Sequence, residues 1–300
     1  VIMPGQIFFC DVLLSETLYT FTLVGFFALA VLLKPSKRNA AILGVAIGIA
    51  ALSRGEGPLL LIIPLAMWWQ LLDRRALVVH AAILVAGMVL VVAPWTIRNA
   101  VVMHSFIPVS TNSGDTIYSG HNPKANGSAT YASDQVLKPV QKYTGAKREV
   151  EQSALLRRKA ISWAVSHPLQ ELALIPARFL ALNQGDGLTI GIWLTPGPKQ
   201  VPISKPVRNS LGVLADFAYY ALLTLFIGSL LVFGRRLLAN AALRAIIAYV
   251  AVLVVLYSLV LYGNYRYRVP LEPLMMLVAA PLAVRIWSLR AGPRRLAPDG

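Results

Sequence analysis

The sequence predicts an all-α protein: a polytopic membrane helical bundle with a long exoplasmic, periplasmic loop region of mainly short helices. Three observations predict it. Hydrophobic residues make up 57% of the 300 and charged residues 14%, against about 25% charged in an average soluble domain. The mean hydropathy is +0.64. Apolar runs long enough to cross a hydrocarbon core of about 30 Å recur over Thr17–Leu33, Leu77–Pro94, Leu211–Phe233, Ala245–Tyr262 and Pro270–Trp287.

A further crossing is less regular. Ala40–Leu52 and Pro58–Leu72 are each short for a span, and Arg54-Gly-Glu-Gly-Pro58 interrupts them with helix breakers. They read as two helices meeting at a turn, the pair entering and leaving one face. Lys34, Lys37, Arg38, Arg74, Arg75, Arg235, Arg236, Arg244, Arg285, Arg290, Arg294 and Arg295 fall at one set of helix ends. Short cytoplasmic loops carry the positive excess, so that set is assigned to the cytoplasm. The net charge of +15 is then mostly topological, and nothing argues for nucleic acid as a partner. Hydropathy divides the chain into residues 1–94 with transmembrane helices, 95–210 as a periplasmic loop region with amphipathic helices, and 211–300 with three C-terminal spans and a basic tail.

Within the long loop, Val150–Ser166 mixes apolar residues with Arg157-Arg158-Lys159. It suits either a helix lying along anionic headgroups or a packed surface helix with a solvated charged face. His167-Pro168 reads as a helix start followed by Leu169, Leu172, Ile175 and Phe179 on one face, with a kink at Pro176. The single cysteine, Cys10, excludes an internal disulfide. Asn126-Gly-Ser128 matches a glycosylation triplet, a pattern common by chance.

The acids fall in a pattern. Asp11, Glu16, Glu56, Asp216 and Glu272 all lie at exoplasmic helix ends in this topology, at the level of Arg54, Arg98, Arg266 and Arg268. Groups of both signs gathered at one depth predict a polar pocket, because intramembrane ionisable residues face a bundle interior and pair. Each residue also has a plainer reading. The helix dipole favours Glu16 and Glu272 in a first turn, Arg54 with Glu56 can close a turn, and interfacial arginines snorkel. Arginines at headgroup depth can grip a phosphate bidentately. Tyr262, Tyr265 and Tyr267 can donate hydroxyls, stack on a sugar, or form an interfacial belt.

Leu13-Leu-Ser-Glu-Thr-Leu-Tyr-Thr20, Gly48-Ile-Ala-Ala-Leu-Ser-Arg-Gly-Glu56, Ala93-Pro-Trp-Thr-Ile-Arg-Asn99, Pro108-Val-Ser-Thr-Asn112, Gly120-His-Asn-Pro123 and Gly263-Asn-Tyr-Arg-Tyr-Arg-Val-Pro-Leu-Glu-Pro273 follow one another along the chain. In that order they resemble the GT-C superfamily of membrane glycosyltransferases, particularly bacterial relatives of protein O-mannosyltransferases and of the lipid A aminoarabinose transferase. The resemblance implies a polyprenyl-phosphate sugar donor, a lipid, glycan or protein hydroxyl acceptor, inversion at the sugar carbon, and a bacterial inner membrane with the active face periplasmic. It implies Arg266 and Arg268 as the groups that stabilise the departing phosphate, with Arg98 second. Glu16 matches a second acid that orients the acceptor or, in some branches, contributes to a metal site. Arg54, Glu56, Tyr265, Tyr267, Asn112, His121, Asn122 and Glu272 complete the candidate donor site, although turn formation explains Asn112, Gly120 and Asn122 equally and His121 reads as a solvated loop histidine. No cofactor is expected, and no His, Asp or Glu spacing indicates a metal.

The family's catalytic base lies in a first exoplasmic loop that would precede Val1, and Asp11 matches a later loop. The rival readings are a flippase for lipid-linked sugars and a noncatalytic membrane subunit. Membranes containing residues 1–300 and nothing more of the protein are therefore expected to transfer no sugar from a polyprenyl-phosphate donor; turnover above vector controls overturns that expectation.

Overall fold

The computed structural model describes residues 3–4, 6–7, 15–187, 190 and 203–290. Regular structure among them is helical, with no strand. In order the elements are α1 (Ser15–Leu32), α2 (Lys37–Ser53), a 3-10 turn over Gly57–Leu61, α3 (Ile62–Trp68), α4 (Arg74–Met103), α5 (Ser113–Gly120), α6 (Asp134–Leu137), α7 (Gly145–Ser166), α8 (Pro168–Leu182), α9 (Lys205–Ala239), α10 (Ala241–Val255) with a π turn over Leu256–Val260, α11 (Tyr265–Arg268) and α12 (Glu272–Arg290). Five stretches are long and apolar enough to cross a membrane: Ser15–Leu32, Arg74–Met103, Lys205–Ala239, Ala241–Val260 and Tyr265–Leu289. They fit an integral membrane protein.

Local chemistry sets several boundaries. Ser36 caps α2 by accepting from the Asn39 amide at 3.1 Å, and Asp73 caps α4 by accepting from the Ala76 amide at 2.8 Å. The fourth helix does not stop where the apolar run does. It continues through Pro94 to Met103 and ends at His104, whose φ of 50° is left-handed. The residues after Pro94 keep their place because Trp95, Thr96 and Asn99 staple the next loop onto the helix. Trp95 Nε1 donates to the Val109 carbonyl at 2.8 Å, Thr96 Oγ1 to that of Pro108 at 2.9 Å, and Asn99 Nδ2 to that of Ile107 at 3.1 Å.

The chain divides into two compact units, Gln6–Gln184 with Tyr249–Pro270, and the described residues of Val1–Gly5, Gly185–Ala248 and Leu271–Gly300. In the first, α2 lies against α4 across glycines. Gly44-Val-Ala-Ile-Gly48 places two small residues four apart, the spacing that lets membrane helices approach backbone to backbone. A Cβ on Gly48 would stand 2.6 Å from Val91 Cβ, and one on Gly87 would stand 3.0 Å from the Ala41 carbonyl oxygen. After Arg54 the chain folds back, so that a Cβ on Gly57 would stand 2.6 Å from the Ala50 carbonyl carbon. The turn expected at Arg54–Pro58 is therefore present.

The loop region of the same unit has its own small core of Tyr118, Leu156 and Ala160. Gly114 sits against Ser153, its amide donating to Ser153 Oγ at 3.2 Å, so α5 crosses α7 closely. One face of α7 is buried through Ser153, Leu156 and Ala160 while Arg157, Arg158 and Lys159 are exposed. The helix is thus packed on one face, and its open face carries the basic residues together with Ile161 and Val165. On α8 the apolar stripe points outward: Leu169 is 79% and Leu172 60% exposed. Its packed face carries Arg178 instead, because Arg178 finds acceptors inside while the apolar stripe has no core to enter. Asn126-Gly-Ser128 forms a turn, with Asn126 Oδ1 accepting from the Ser128 amide at 3.0 Å and Gly127 at φ 96°.

In the second unit α9 and α12 run side by side in the same direction, since Gly228 abuts Leu282 and Arg285 lies 5.8 Å over the Phe233 ring. Asp216 on α9 accepts from the Gly187 amide at 2.7 Å.

Gly48→Leu is expected to lower the stability of the purified protein by about 1–3 kcal/mol through overpacking. Gly25→Ala, where a Cβ meets nothing within 4 Å, is expected to leave it unchanged. Thermal unfolding in detergent distinguishes the two.

Candidate functional site

Three segments far apart in sequence converge in the first unit. Glu16 enters from the first turn of α1 and is 1% exposed. Arg54 and Glu56 come from the turn after α2, and Arg266 from α11. Glu16 Oε1 is the hub: Arg266 approaches with Nε at 2.9 Å and Nη2 at 2.8 Å, and Arg54 with Nη1 at 3.2 Å. Arg54 Nε also donates to Glu56 Oε1 at 2.8 Å. Two carboxylates and two guanidinium groups thus compensate one another at short range, which buried charge requires. Glu16 Oε2 is buried with no hydrogen-bond partner among the described residues.

Tyrosines wall this cluster. Tyr257 donates its hydroxyl to Glu56, and its ring stacks on Tyr267 at 4.4 Å between centroids and 11° between planes. Tyr267 donates to the Tyr262 hydroxyl, and Arg54 lies 5.2 Å from the Tyr267 ring centroid and 5.8 Å from that of Tyr19. Tyr19 and Tyr249 pair through their hydroxyls at 2.7 Å. Cation–π contact with two rings holds the Arg54 guanidinium where hydration is poor. The Arg54 side chain is 8% exposed and the Arg266 side chain 34%. Arg266 is the member of the pair that a ligand can reach.

No family model, curated protein or solved structure matches this chain. The site is therefore argued from its own geometry.

Of the residues singled out in the sequence, Glu16, Arg54, Glu56, Arg266 and Tyr267 meet in this cluster. Tyr265 instead packs on Val269, and Arg268 turns to the Gln184 carbonyl, to which Nη2 donates at 2.5 Å. Arg98 is exposed and stays local, its guanidinium 5.2 Å over the Trp95 ring and donating to Asn99 Oδ1 at 3.1 Å. Asn112 is exposed ahead of α5, where its carbonyl accepts from the Thr116 amide. Glu272 belongs to the second unit, fully buried at the start of α12. Asp11 and Cys10 lie outside the described residues. No group of three or more His, Cys, Asp or Glu able to hold a metal occurs among the described residues.

His121 is not a solvated loop histidine. It is buried, with Nδ1 2.8 Å from Glu171 Oε2 and Nε2 2.7 Å from the Val260 carbonyl oxygen. Arg178 Nη2 donates to the same carboxylate oxygen at 2.5 Å and to the Gly120 carbonyl at 2.9 Å. The seven-residue spacing of Glu171 and Arg178 puts them on one helical face, a signal the apolar stripe of α8 masked. Asn122 closes a turn, donating to the Tyr118 carbonyl at 2.7 Å and accepting from the Lys124 amide at 2.8 Å. It also lines a recess of about 630 Å³ with Tyr118, Arg158, Lys159, Trp163 and Ser166. Burial pushes the Tyr118 phenol above its ordinary range. Trp163 stacks on His167 at 3.6 Å, giving the recess a rigid aromatic wall.

Glu16→Ala is expected to cost about 3 kcal/mol, because it strips two guanidinium groups of a buried counter-ion. Arg266→Ala, at a one-third exposed position, is expected to cost about 1 kcal/mol or less. Unfolding of the purified variants checks the ordering; equal effects would show that Glu16 is not the hub.

Proposed function

We propose that this protein is a membrane glycosyltransferase of the GT-C type, moving a sugar from a polyprenyl-phosphate donor to a hydroxyl acceptor at the periplasmic face of a bacterial inner membrane. The observation that carries the reading is the convergence of Glu16, Arg54, Glu56 and Arg266 in a tyrosine-walled polar site beside membrane-length apolar helices. Ionisable groups at such cost mark function.

In this reading the acceptor oxygen attacks the anomeric carbon and the bond from that carbon to the phosphate oxygen breaks. Polyprenyl phosphate leaves with the electron pair, and the hydroxyl proton passes to a carboxylate base, which the resemblance places N-terminal to Glu16. Arg266 takes the departing phosphate through its exposed edge. Glu16 is then a positioning residue: with Nε and Nη2 fixed on its Oε1, the guanidinium plane is set before the donor arrives, so little reorganisation remains at the moment of reaction. The recess beside Trp163, with Arg158 and Lys159 and no acid in its lining, suits an anionic acceptor. The charge balance of the cluster favours a second reading, a noncatalytic subunit in which the same contacts are an internal lock.

The gene product purified into liposomes, supplied with a polyprenyl-phosphate sugar and a membrane lipid extract, is expected to transfer sugar. Arg266→Ala is expected to lose about 100-fold or more of that rate, the loss typical of removing one charge-stabilising donor, while remaining folded. Turnover untouched by Arg266→Ala removes Arg266 from the phosphate site, and absence of turnover favours the subunit reading. Movement of lipid-linked sugar between leaflets without transfer identifies a flippase.

A further inference from the structure

A second recess lies in the other unit, far along the same helices from Asp216. It has a volume of about 700 Å³ and is lined by Leu231, Val232, Leu238, Arg235, Arg236 and Arg285 among others. Its cations come from two different helices. Arg235 and Arg236 stand in the last turns of α9, and Arg285 comes from the C-terminal half of α12, its guanidinium 5.8 Å over Phe233. None of the three has an acidic partner among the described residues, and no acid lines the recess.

With Asp216 at one membrane boundary, as its charge in an apolar helix suggests, the length of α9 puts the recess at the other. Arg235 follows Asp216 by nineteen positions, which at 1.5 Å per residue is about 28 Å, close to the thickness of a hydrocarbon core. The helix bearing both ends is one of the membrane-length apolar stretches, as is that bearing Arg285. At this end Leu231, Val232 and Leu238 are exposed, and so is Trp287 on the last turns of α12, the composition of a surface at the boundary between acyl chains and headgroups. Scattered topological arginines need no recess. Here three arginines line one concave site together with the exposed apolar side chains of Leu231, Val232 and Leu238.

We propose that this recess binds the headgroup phosphate of an anionic phospholipid, with Arg235, Arg236 and Arg285 on the phosphate oxygens and an acyl chain along Leu231, Val232 and Leu238. Basic pockets between spans at a cytoplasmic boundary bind anionic headgroups, and guanidinium forks match phosphate geometry. The anion also faces the C-terminal ends of α9 and α12, whose dipoles are negative, so the arginines must more than offset that field. The site rests on the membrane character of the helices and not on the transferase reading.

Native mass spectrometry of the purified gene product measures retention of phosphatidylglycerol against phosphatidylcholine, with unfolding temperature in each lipid and in inorganic phosphate as a second readout. Phosphatidylglycerol is expected to be retained preferentially and to raise the unfolding temperature. Replacement by glutamine is expected to weaken its binding about fivefold per arginine. Should the glutamine variants fail to accumulate, R235K/R236K/R285K keeps the topological charge and is expected to bind several-fold more weakly for want of the fork. Equal retention of the two lipids, undiminished binding by the variants, or stabilisation by inorganic phosphate equal to that by phosphatidylglycerol would each overturn the proposal.

Discussion

The first unit depends on one oxygen atom. Glu16 Oε1 receives hydrogen bonds from Arg54 and Arg266, and those three residues belong to α1, to the turn after α2 and to α11. Moving any one of the segments exposes a buried charge to a low dielectric, where an unpaired ion costs several kcal/mol. Apolar packing between membrane helices gives little preference for one register over another, since lipid tails are as apolar as leucine. The ion cluster supplies that register, and the glycines of α2 and α4 let those two helices approach closely.

Helical class and the spans were legible because their cause is local. A run such as Leu77–Pro94 must satisfy its backbone internally wherever it lies, so composition suffices. Boundaries were less legible. The extension of α4 to Met103 rests on Trp95, Thr96 and Asn99 bonding to carbonyls of residues 107–109, and no pattern of hydropathy announces such staples. The site was half legible. Charges at one depth pointed to Glu16, Arg54, Glu56 and Arg266, yet Arg268, two residues along, turns to Gln184. A four-residue helix sends neighbours in different directions, and the choice between the two arginines is made by tertiary partners.

Tyr257 and Tyr249 were hidden for a different reason. Both lie within an apolar run and read as part of a span, although their eight-residue spacing marks one helical face. Glu171 and Arg178 escaped because the exposed apolar stripe of α8 mimics a core-facing one. In a chain that meets lipid, apolar residues have two suitable surroundings, and the hydrophobic pattern by itself does not choose between them.

The π turn at Leu256–Val260 has a mechanical consequence. Its wider ring sets the Val260 and Leu259 carbonyl oxygens where His121 and Arg178 take them up, at 2.7 and 3.4 Å. The loop helices thus grasp the span by its backbone at the place where its own ladder is weakest. Side chains along those five residues can change while the grip persists. The π turn is thus tied at its backbone to α8 and to the residue after α5, immediately ahead of the segment that carries Tyr262 and Arg266.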